Sequence, residues 1–169
     1  DQYGRDTFSR VLYGTRTALL AVVVADGLAL LLGCGMGLVA GFFGGRIDAA
    51  IMRLNDVLLA FPYLLLALII VAALGPGLTH SMIAIGIVYT PQYARLLRGQ
   101  VLAVREADYV RAARALSASR LRIMLRHVLP NSFTPILVMA TLQAGSVIVE
   151  TAGLSFLGLG AQPPSSDWG

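Results

Sequence analysis

Four long apolar segments dominate the pattern of hydrophobic and polar positions along the chain. They cover residues 17–43, 57–74, 81–97 and 133–157. A bilayer core about 30 Å thick takes about 20 residues of helix, so each segment is close to the length of a membrane span. Backbone polar groups in lipid must be satisfied within the segment, which makes such spans helical. The pattern therefore predicts an all-α polytopic membrane protein with four transmembrane helices.

A polar stretch, residues 106–127, separates the third and fourth segments and is rich in helix-forming residues. Its apolar side chains recur at roughly helical spacing, at Val110, Ala113, Leu116, Leu121, Met124 and Val128. The spacing predicts an amphipathic helix pair. Such a pair either lies on anionic lipid or presents alanine and leucine to a groove on a soluble partner, and the residue pattern leaves both open.

The basic residues predict the orientation of the spans. All thirteen are arginines, and eight of them fall in residues 95–127. Because cytoplasmic loops carry an excess of basic residues, we expect residues 95–127 and the loop 44–53 to be cytoplasmic. The turn Gly75-Pro76-Gly77 and the C-terminal tail then lie outside. Residues 1–16 become an external amphipathic lead-in, although their three arginines oppose that placement.

Composition agrees with a membrane protein, since 57% of the residues are hydrophobic and 13% are charged. Soluble domains average about 45–50% apolar and about 25% charged residues, so a soluble enzyme, a disordered segment and a nucleic-acid binder fit poorly. Cys34 is the only cysteine, which excludes a disulfide within the chain. His80 and His127 fall on opposite sides of the predicted membrane, so we expect no metal site.

No sequence motif indicates catalysis or a cofactor. The chain has no lysine to complete a phosphate-binding loop and no Gly-x-Ser-x-Gly elbow for a nucleophile. We therefore expect no catalytic residues and no cofactor.

Two carboxylates, Asp26 and Glu150, lie inside predicted spans. Because charges in the membrane are costly, such residues by default face a cavity or a partner, and both are candidates for a translocation path. The alternative is that each lies nearer the membrane interface than the segment boundaries suggest.

Small residues repeat in the first span, where four glycines recur every four residues. They are Gly33, Gly37, Gly41 and Gly45. On a helix they form one smooth face on which a second backbone can approach closely. The face serves either static helix packing or a seam along which helices slide during transport.

Residues 111–130 resemble the EAA signature of bacterial ABC-importer permeases. Arg111-Ala112-Ala113, Ser117 and Leu129-Pro130 have its spacing, with Arg111 in place of Glu, Ser117 in place of Gly and His127 in place of Ile. Arg and His at those positions are familiar in the dipeptide/oligopeptide/nickel branch. Ser accepts a left-handed backbone less readily than the Gly it replaces.

Further motifs in the same order resemble that branch, and the C-terminal ones its C-type partner. They are Gly4-Arg5-Asp6 with Ser9-Arg10, Leu59-Ala60-Phe61-Pro62, Gly75-Pro76-Gly77, Tyr93-Ala94-Arg95, Gly99-Gln100-Val101-Leu102, residues 154–160, Gln162-Pro163-Pro164 and Asp167-Trp168-Gly169. The resemblance covers nearly the whole chain.

The resemblance implies a type I importer permease domain over residues 15–169, with a cytoplasmic coupling region at residues 106–130. Such permeases form heterodimers with a second permease in the bacterial inner membrane, bind two cytoplasmic ATPases and receive substrate from an external binding protein. The family has six spans, so this chain would lack the first and the last. The cargo would be peptides, nickel or another small solute.

The resemblance also implies how the coupling region works. Ala112, Ala113, Leu116 and Ser117 would enter a groove on the ATPase, with Leu129-Pro130 closing the segment. A rival hypothesis is an ion-coupled secondary transporter that uses Asp26 and Glu150 as ion sites. A membrane scaffold that only binds lipid is a second rival.

Overall fold

A computed structural model describes residues 6–160, and that range consists of helices joined by short turns, with no strand. The all-α prediction is confirmed. The N-terminal part of the predicted lead-in, with Gly4-Arg5, and the tail motifs Gln162-Pro163-Pro164 and Asp167-Trp168-Gly169 lie outside the described residues.

Nine α-helices and two π-helical turns make up the described part of the chain. They are α1 (Thr7–Ala21), a π-turn (Val22–Asp26), α2 (Gly27–Phe43), α3 (Gly45–Leu59), α4 (Tyr63–Leu74), α5 (Leu78–Val104), α6 (Asp108–Ala115), α7 (Arg120–Ile123), a π-turn (Met124–Val128), α8 (Leu129–Ser132) and α9 (Thr134–Phe156).

The first membrane helix starts earlier than the apolar pattern predicted. Asp6 caps it, because its carboxylate accepts hydrogen bonds from the Phe8 amide at 3.0 Å and the Ser9 hydroxyl at 2.6 Å. From there α1, the π-turn and α2 form one run, Thr7–Phe43, of 37 residues. At about 1.5 Å per residue it is about 55 Å long and exceeds the bilayer core. Residues 7–16 of the predicted lead-in are thus part of this helix.

The second predicted span, residues 57–74, is not one continuous helix. α3 ends at Leu59 and α4 begins at Tyr63. Pro62 lies in the break, where it cannot donate a backbone hydrogen bond and disfavours helical geometry at Phe61. The two helices qualify as a span only as a bent pair.

The predicted fourth segment coincides with one long apolar helix, and the third differs from a typical span. α9, Thr134–Phe156, is long and apolar enough to cross a membrane. α5 has 27 residues, but polar side chains such as Gln92, Arg95 and Arg98 interrupt its apolar run. By length and composition the described residues contain two candidate spans, or three with the bent pair, rather than the four predicted.

α5 is mostly buried by protein. Its core positions include Ile85, Tyr93, Leu97 and Val101, each at most 1% exposed. A helix enclosed by other helices can keep polar residues that a lipid-facing helix cannot, which explains its lower hydropathy.

The described chain divides into two compact units. The first comprises residues up to 28 with 61–88 and those from 142 onward, and the second comprises 29–60 and 89–141. In the first unit the segment before α5 is held to the segment after α9. The Gly77 amide and the Ser81 hydroxyl both donate to the Leu159 carbonyl, at 2.9 and 3.0 Å.

In the second unit α2 and α3 are joined by a tight turn at Gly44-Gly45. Both glycines have positive φ, 67° and 57°, a conformation that side chains with a Cβ rarely adopt. The turn brings α3 back toward α5, to which two ion pairs connect it.

Candidate coupling surface and transport path

The predicted helix pair is α6 and α7, joined by a turn that Ser117 makes possible. Ser117 has a φ of 57°, the only positive φ among the non-glycine residues of the described range. The Ala118 amide donates to the Ala113 carbonyl at 3.1 Å and the Ser117 amide to the Arg114 carbonyl at 3.0 Å. These two bonds are those of a Schellman motif, whose left-handed residue is usually Gly. Ser therefore adopts the conformation for which Gly is suited.

The second helix of the pair begins immediately after this turn. The Ser119 hydroxyl caps α7 by accepting from the Arg122 amide at 3.4 Å. The direction change between α6 and α7 is thus specified by three successive residues, Ser117 to Ser119.

The exposed end of this pair is a tip formed by Ala112, Ala115, Leu116, Ser117 and Leu121. All five are exposed, and Leu116 is 84% exposed. An exposed leucine at a turn is a surface suited to a partner's apolar groove.

The spacing of the apolar residues in 106–127 suggested that they share one face. In the structure they do not. Val110, Ile123 and Met124 are buried under the tip, whereas Leu116 and Leu121 are exposed. The change of direction at Ser117 interrupts the helical periodicity, so a spacing counted across it does not describe a single face.

Arg105 connects the tip to the membrane helices. Its guanidinium donates to the Gly41 carbonyl of α2 at 2.7 Å and contacts the Glu106 carboxylate at 3.2 Å. Arg114 of α6 donates in turn to the Arg105 carbonyl at 3.3 Å. These bonds link α6, the end of α5 and the end of α2.

The first residue of the EAA-like segment, Arg111, is exposed and only loosely paired. Its guanidinium lies 4.0 Å from the carboxylates of Glu106 and Asp108. Contacts this long between exposed groups contribute little stability, so Arg111 is available to a partner.

The other end of the segment, Leu129-Pro130, starts α8 after a π-helical turn. Pro130 lies in the first turn of α8, where its missing amide hydrogen costs little. Both residues line an apolar cavity of about 370 Å³ with Phe133, Thr134 and Leu137. None of the tip residues lines this cavity.

Three of the four repeating glycines lie against the backbone of α5. A Cβ on Gly33 would stand 2.5 Å from the Thr90 carbonyl oxygen, and one on Gly41 would stand 2.8 Å from Val101. A Cβ on Gly37 would collide with the Ala94 carbonyl. No side chain fits at these contacts, which form a close-packed seam.

Gly45 does not belong to this seam. It lies in the turn before α3 with positive φ, and nothing stands within 4 Å of a Cβ built there. The four-residue spacing extends past the end of α2 at Phe43, so the prediction for Gly45 was wrong.

Two ion pairs join α3 to α5, and sequence reasoning missed both. Arg98 binds both carboxylate oxygens of Asp48, at 2.5 and 2.6 Å, and Arg95 binds Asp56 at 2.6 Å. The hydrogen bond from Arg98 holds the pKa of Asp48 below its usual value. The sequence contains the two aspartates of α3 and the two arginines of α5, three residues apart, but only the fold shows which aspartate pairs with which arginine.

Asp26 lies in the π-helical turn of the first membrane helix and is 7% exposed. π-turns often occur at functional sites, because they reorient a side chain within a helix. The structure puts Asp26 well inside the helical run rather than at its end.

Glu150 lines a cavity of about 450 Å³ in the first unit. The other lining residues are Tyr63, Leu142, Gly145, Ser146 and Val149. The lining of this cavity thus includes a carboxylate, a phenol and a hydroxyl, whereas Asp26 is not among the lining residues. Within residues 6–160 no three His, Cys, Asp or Glu side chains are grouped to hold a metal.

Comparison with known proteins decides the family. The family described as the binding-protein-dependent transport system inner membrane component matches residues 33–169. The chain belongs to this family. Its members are inner-membrane components, which agrees with helices able to span a membrane.

Individual relatives agree with this assignment. The chain is 48% identical to the dipeptide transport system permease protein DppC of Alkalihalophilus pseudofirmus, over 100% of the chain and 56% of that protein. It is 48% identical to a probable D,D-dipeptide transport system permease protein, DdpC, of Escherichia coli, over 100% of the chain and 57% of that protein. It is 43% identical to a glutathione transport system permease protein, GsiD, of Pectobacterium atrosepticum, over 100% of the chain and 56% of that protein. The predicted resemblance to peptide-branch permeases is confirmed, and the chain spans about half the length of these relatives.

Proposed function

We propose that the chain forms part of a permease subunit of an ATP-binding-cassette importer for peptides. The family assignment and the printed functions of the relatives, dipeptide and glutathione transport, support this function. The observation on which the mechanism depends is the exposed tip around Leu116, fastened through Arg105 to α2 and α5. The subunit itself is not an enzyme, and ATP hydrolysis belongs to separate subunits.

The tip binds a groove on a cytoplasmic ATPase. Leu116 and Ala112 enter the groove, where their small or apolar side chains permit close contact, and Arg111 contacts its edge. Ala113 and Ser117 hold the turn through their backbone groups, and Leu129-Pro130 begin the return to the membrane. When ATP binding draws two ATPases together, the tip moves, and Arg105 passes the displacement to α2 and α5.

Residues 95–127 are cytoplasmic in this proposal, and the start of α5 and the end of α9 face outside. Two contacts support the topology, because each joins segments assigned to the same side. Arg105 meets the Gly41 carbonyl, and Gly77 meets the Leu159 carbonyl. The remaining partners are a second permease, which completes a heterodimer, two ATPases, an external substrate-binding protein and the surrounding membrane lipid.

Glu150 lies on the translocation path. Its cavity offers a carboxylate beside Tyr63 and Ser146, which suits the ammonium group of a passing peptide. Asp26 belongs to the same path only if the π-turn changes shape during transport.

The rival hypothesis, an ion-coupled secondary transporter, has no support. Family and relatives are components of binding-protein-dependent systems. Asp26 also does not line the cavity that Glu150 lines.

Replacement of Leu116 by Asp tests the coupling proposal. We expect Leu116→Asp to abolish co-purification of the ATPases and substrate-stimulated ATP hydrolysis, because a charge would be buried without a partner in the groove. Leu54→Asp is the matched control, since Leu54 is also exposed, at 51%, but lies on α3. Unchanged coupling in Leu116→Asp, or equal loss in both variants, contradicts the proposal.

A further inference from the structure

A third cavity lies beside the helix pair, in the second unit. It has a volume of about 500 Å³ and is lined by Phe42, Phe43, Arg114, Ala118, Arg120 and Ile123. Two guanidinium groups thus share a cavity with two phenyl rings and an isoleucine. Neither the coupling contact nor the translocation path uses it.

The two arginines of this cavity have no acidic partner within residues 6–160. Arg95, Arg98, Arg105 and Arg111 each contact a carboxylate in that range. Arg114 only donates to a backbone carbonyl, at 3.3 Å, and Arg120 has no side-chain hydrogen bond there. Two guanidinium groups that line one cavity without a carboxylate partner in the described range attract an anion, and their planar donors match the oxygens of a phosphate.

The apolar wall of the cavity comes from the end of the first membrane helix. Phe42 and Phe43 are its last two residues, and their rings pack edge to face with centroids 5.4 Å apart. The apolar segment 17–43 ends at Phe43, which places the two rings at the boundary between the bilayer core and the lipid headgroups in the topology proposed above. An amphipathic wall at that depth suits a ligand with a charged head and an apolar tail.

We propose that this cavity binds an anionic phospholipid of the inner leaflet. The phosphate lies between Arg114 and Arg120, and the upper part of an acyl chain packs on Phe42, Phe43 and Ile123. The placement in the inner leaflet rests on the topology of the proposed function. Because Arg114 also bonds to the Arg105 carbonyl, the bound lipid lies next to the link between α6 and the membrane helices.

The structure favours lipid over the acidic edge of an ATPase as the occupant. An acidic edge would pair with the arginines, but its charged side chains would not pack against the phenylalanine and isoleucine side chains. The exposed tip that suits the ATPase, at Leu116, is formed by a different set of residues from the cavity lining.

The test is lipid binding by the full-length protein with its ATPases, measured by native mass spectrometry in detergent. Phosphatidylglycerol and phosphatidylcholine of equal chain length are titrated against wild type and two double variants. One is Arg114→Gln/Arg120→Gln. The other, Arg122→Gln/Arg126→Gln, is the matched control: it removes the same charge from the same segment, and neither arginine lines the cavity or meets a carboxylate within residues 6–160.

We expect wild type to prefer phosphatidylglycerol, and the cavity variant to bind it about 30-fold more weakly, since each arginine near anionic lipid contributes roughly a factor of five. The control variant keeps most of its affinity. Equal loss in both variants indicates diffuse attraction and overturns the proposal, as does no loss in either or no preference for phosphatidylglycerol. Displacement of the lipid by glycerol phosphate at similar concentration indicates a site for soluble anions and also overturns it.

A single variant provides the test if the double variant misfolds. Whether the ATPases co-purify with each variant distinguishes failure of this inference from failure of the proposed function. Arg120→Gln breaks no hydrogen bond within the described residues, so its lipid affinity decides the matter if the double variant does not fold. Loss of the ATPases from the cavity variant with unchanged lipid binding assigns the arginines to the ATPase and overturns the lipid site. Absence of ATPases from wild type contradicts the proposed function alone, since lipid binding is still measured on the permease.

Discussion

At the residue scale, single side chains decide how the coupling surface is shaped. Ser117 adopts a left-handed conformation at the position where the resembled motif has Gly. Left-handed geometry costs an L-residue about 1–2 kcal/mol, and the flanking Schellman bonds hold it in place. The sequence predicted a turn here and a less suitable residue for it, but only the structure shows that Ser accepts the geometry.

Ser117→Gly should therefore stabilise the protein by up to about 1 kcal/mol, because Gly adopts positive φ without the Cβ penalty. The measurement is the thermal unfolding midpoint in detergent. Ser119→Gly is the control: Ser119 has a φ of −62° and caps α7, so the same replacement should lower stability by a few tenths of a kcal/mol. A lower midpoint for Ser117→Gly would contradict the strain argument.

The ion pair between Asp48 and Arg98 predicts an acid-sensitive link between α3 and α5. The Arg98 hydrogen bond lowers the folded-state pKa of Asp48 from an ordinary value of 3.8. Its contribution is therefore fully present above pH 3.8 and is lost as the pH falls through the lowered pKa.

Asp48→Asn should destabilise the protein by about 1.5–3 kcal/mol at neutral pH, since the charge-assisted hydrogen bonds are lost. It should also flatten the fall in unfolding midpoint below pH 4. Asp56→Asn is the comparison, and its effect should be smaller because the Asp56–Arg95 pair is more than half exposed. Equal losses of stability in the two variants would contradict the argument that the more buried ion pair contributes more to stability.

At the element scale, some helix boundaries are set by residues nearby in the sequence, whereas close helix contacts are set by the neighbouring helix. Asp6 starts the first helix and Pro62 separates α3 from α4, and both are readable in the sequence. The two π-turns and the end of the glycine seam at Gly41 cannot be read from the sequence, because they depend on the atoms of the neighbouring helix that lie against them. Gly45 repeats the spacing but serves a turn.

Gly37→Ala should destabilise the protein by about 1–3 kcal/mol, because its Cβ would overlap the Ala94 carbonyl of α5. Gly35→Ala is the matched control in the same helix. Nothing stands within 4 Å of a Cβ at Gly35, so alanine there should be neutral or stabilising by up to about 1 kcal/mol. Unfolding midpoints in detergent compare the two. Similar midpoints would show that α2 and α5 are not closely packed at Gly37.

At the scale of the whole molecule, the distribution of arginine predicts the orientation in the membrane. Eight arginines in residues 95–127 favour a cytoplasmic location for that segment. The direction of the exposed tip matters for function, since only a cytoplasmic tip reaches an ATPase.

Cysteine labelling from each side of the membrane tests this orientation. In a Cys34→Ser background, Ala115→Cys at the exposed tip should react with an impermeant maleimide only in inverted vesicles. Thr79→Cys, exposed at the start of α5, should react only in intact spheroplasts. Labelling of both residues from one side would contradict the topology on which the coupling proposal rests.

The sequence by itself determined the helical class, the membrane environment and the family, and it indicated the segment for which we propose a coupling role. These follow from composition, apolar run length and local motifs, which depend on residues near one another in the chain. Only the tertiary structure decided that Gly37 packs against Ala94 of α5, that Arg98 binds Asp48, and that Leu116 is exposed while Val110 is buried. Such features depend on which side chains from distant segments meet, and apolar spacing carries no information about that.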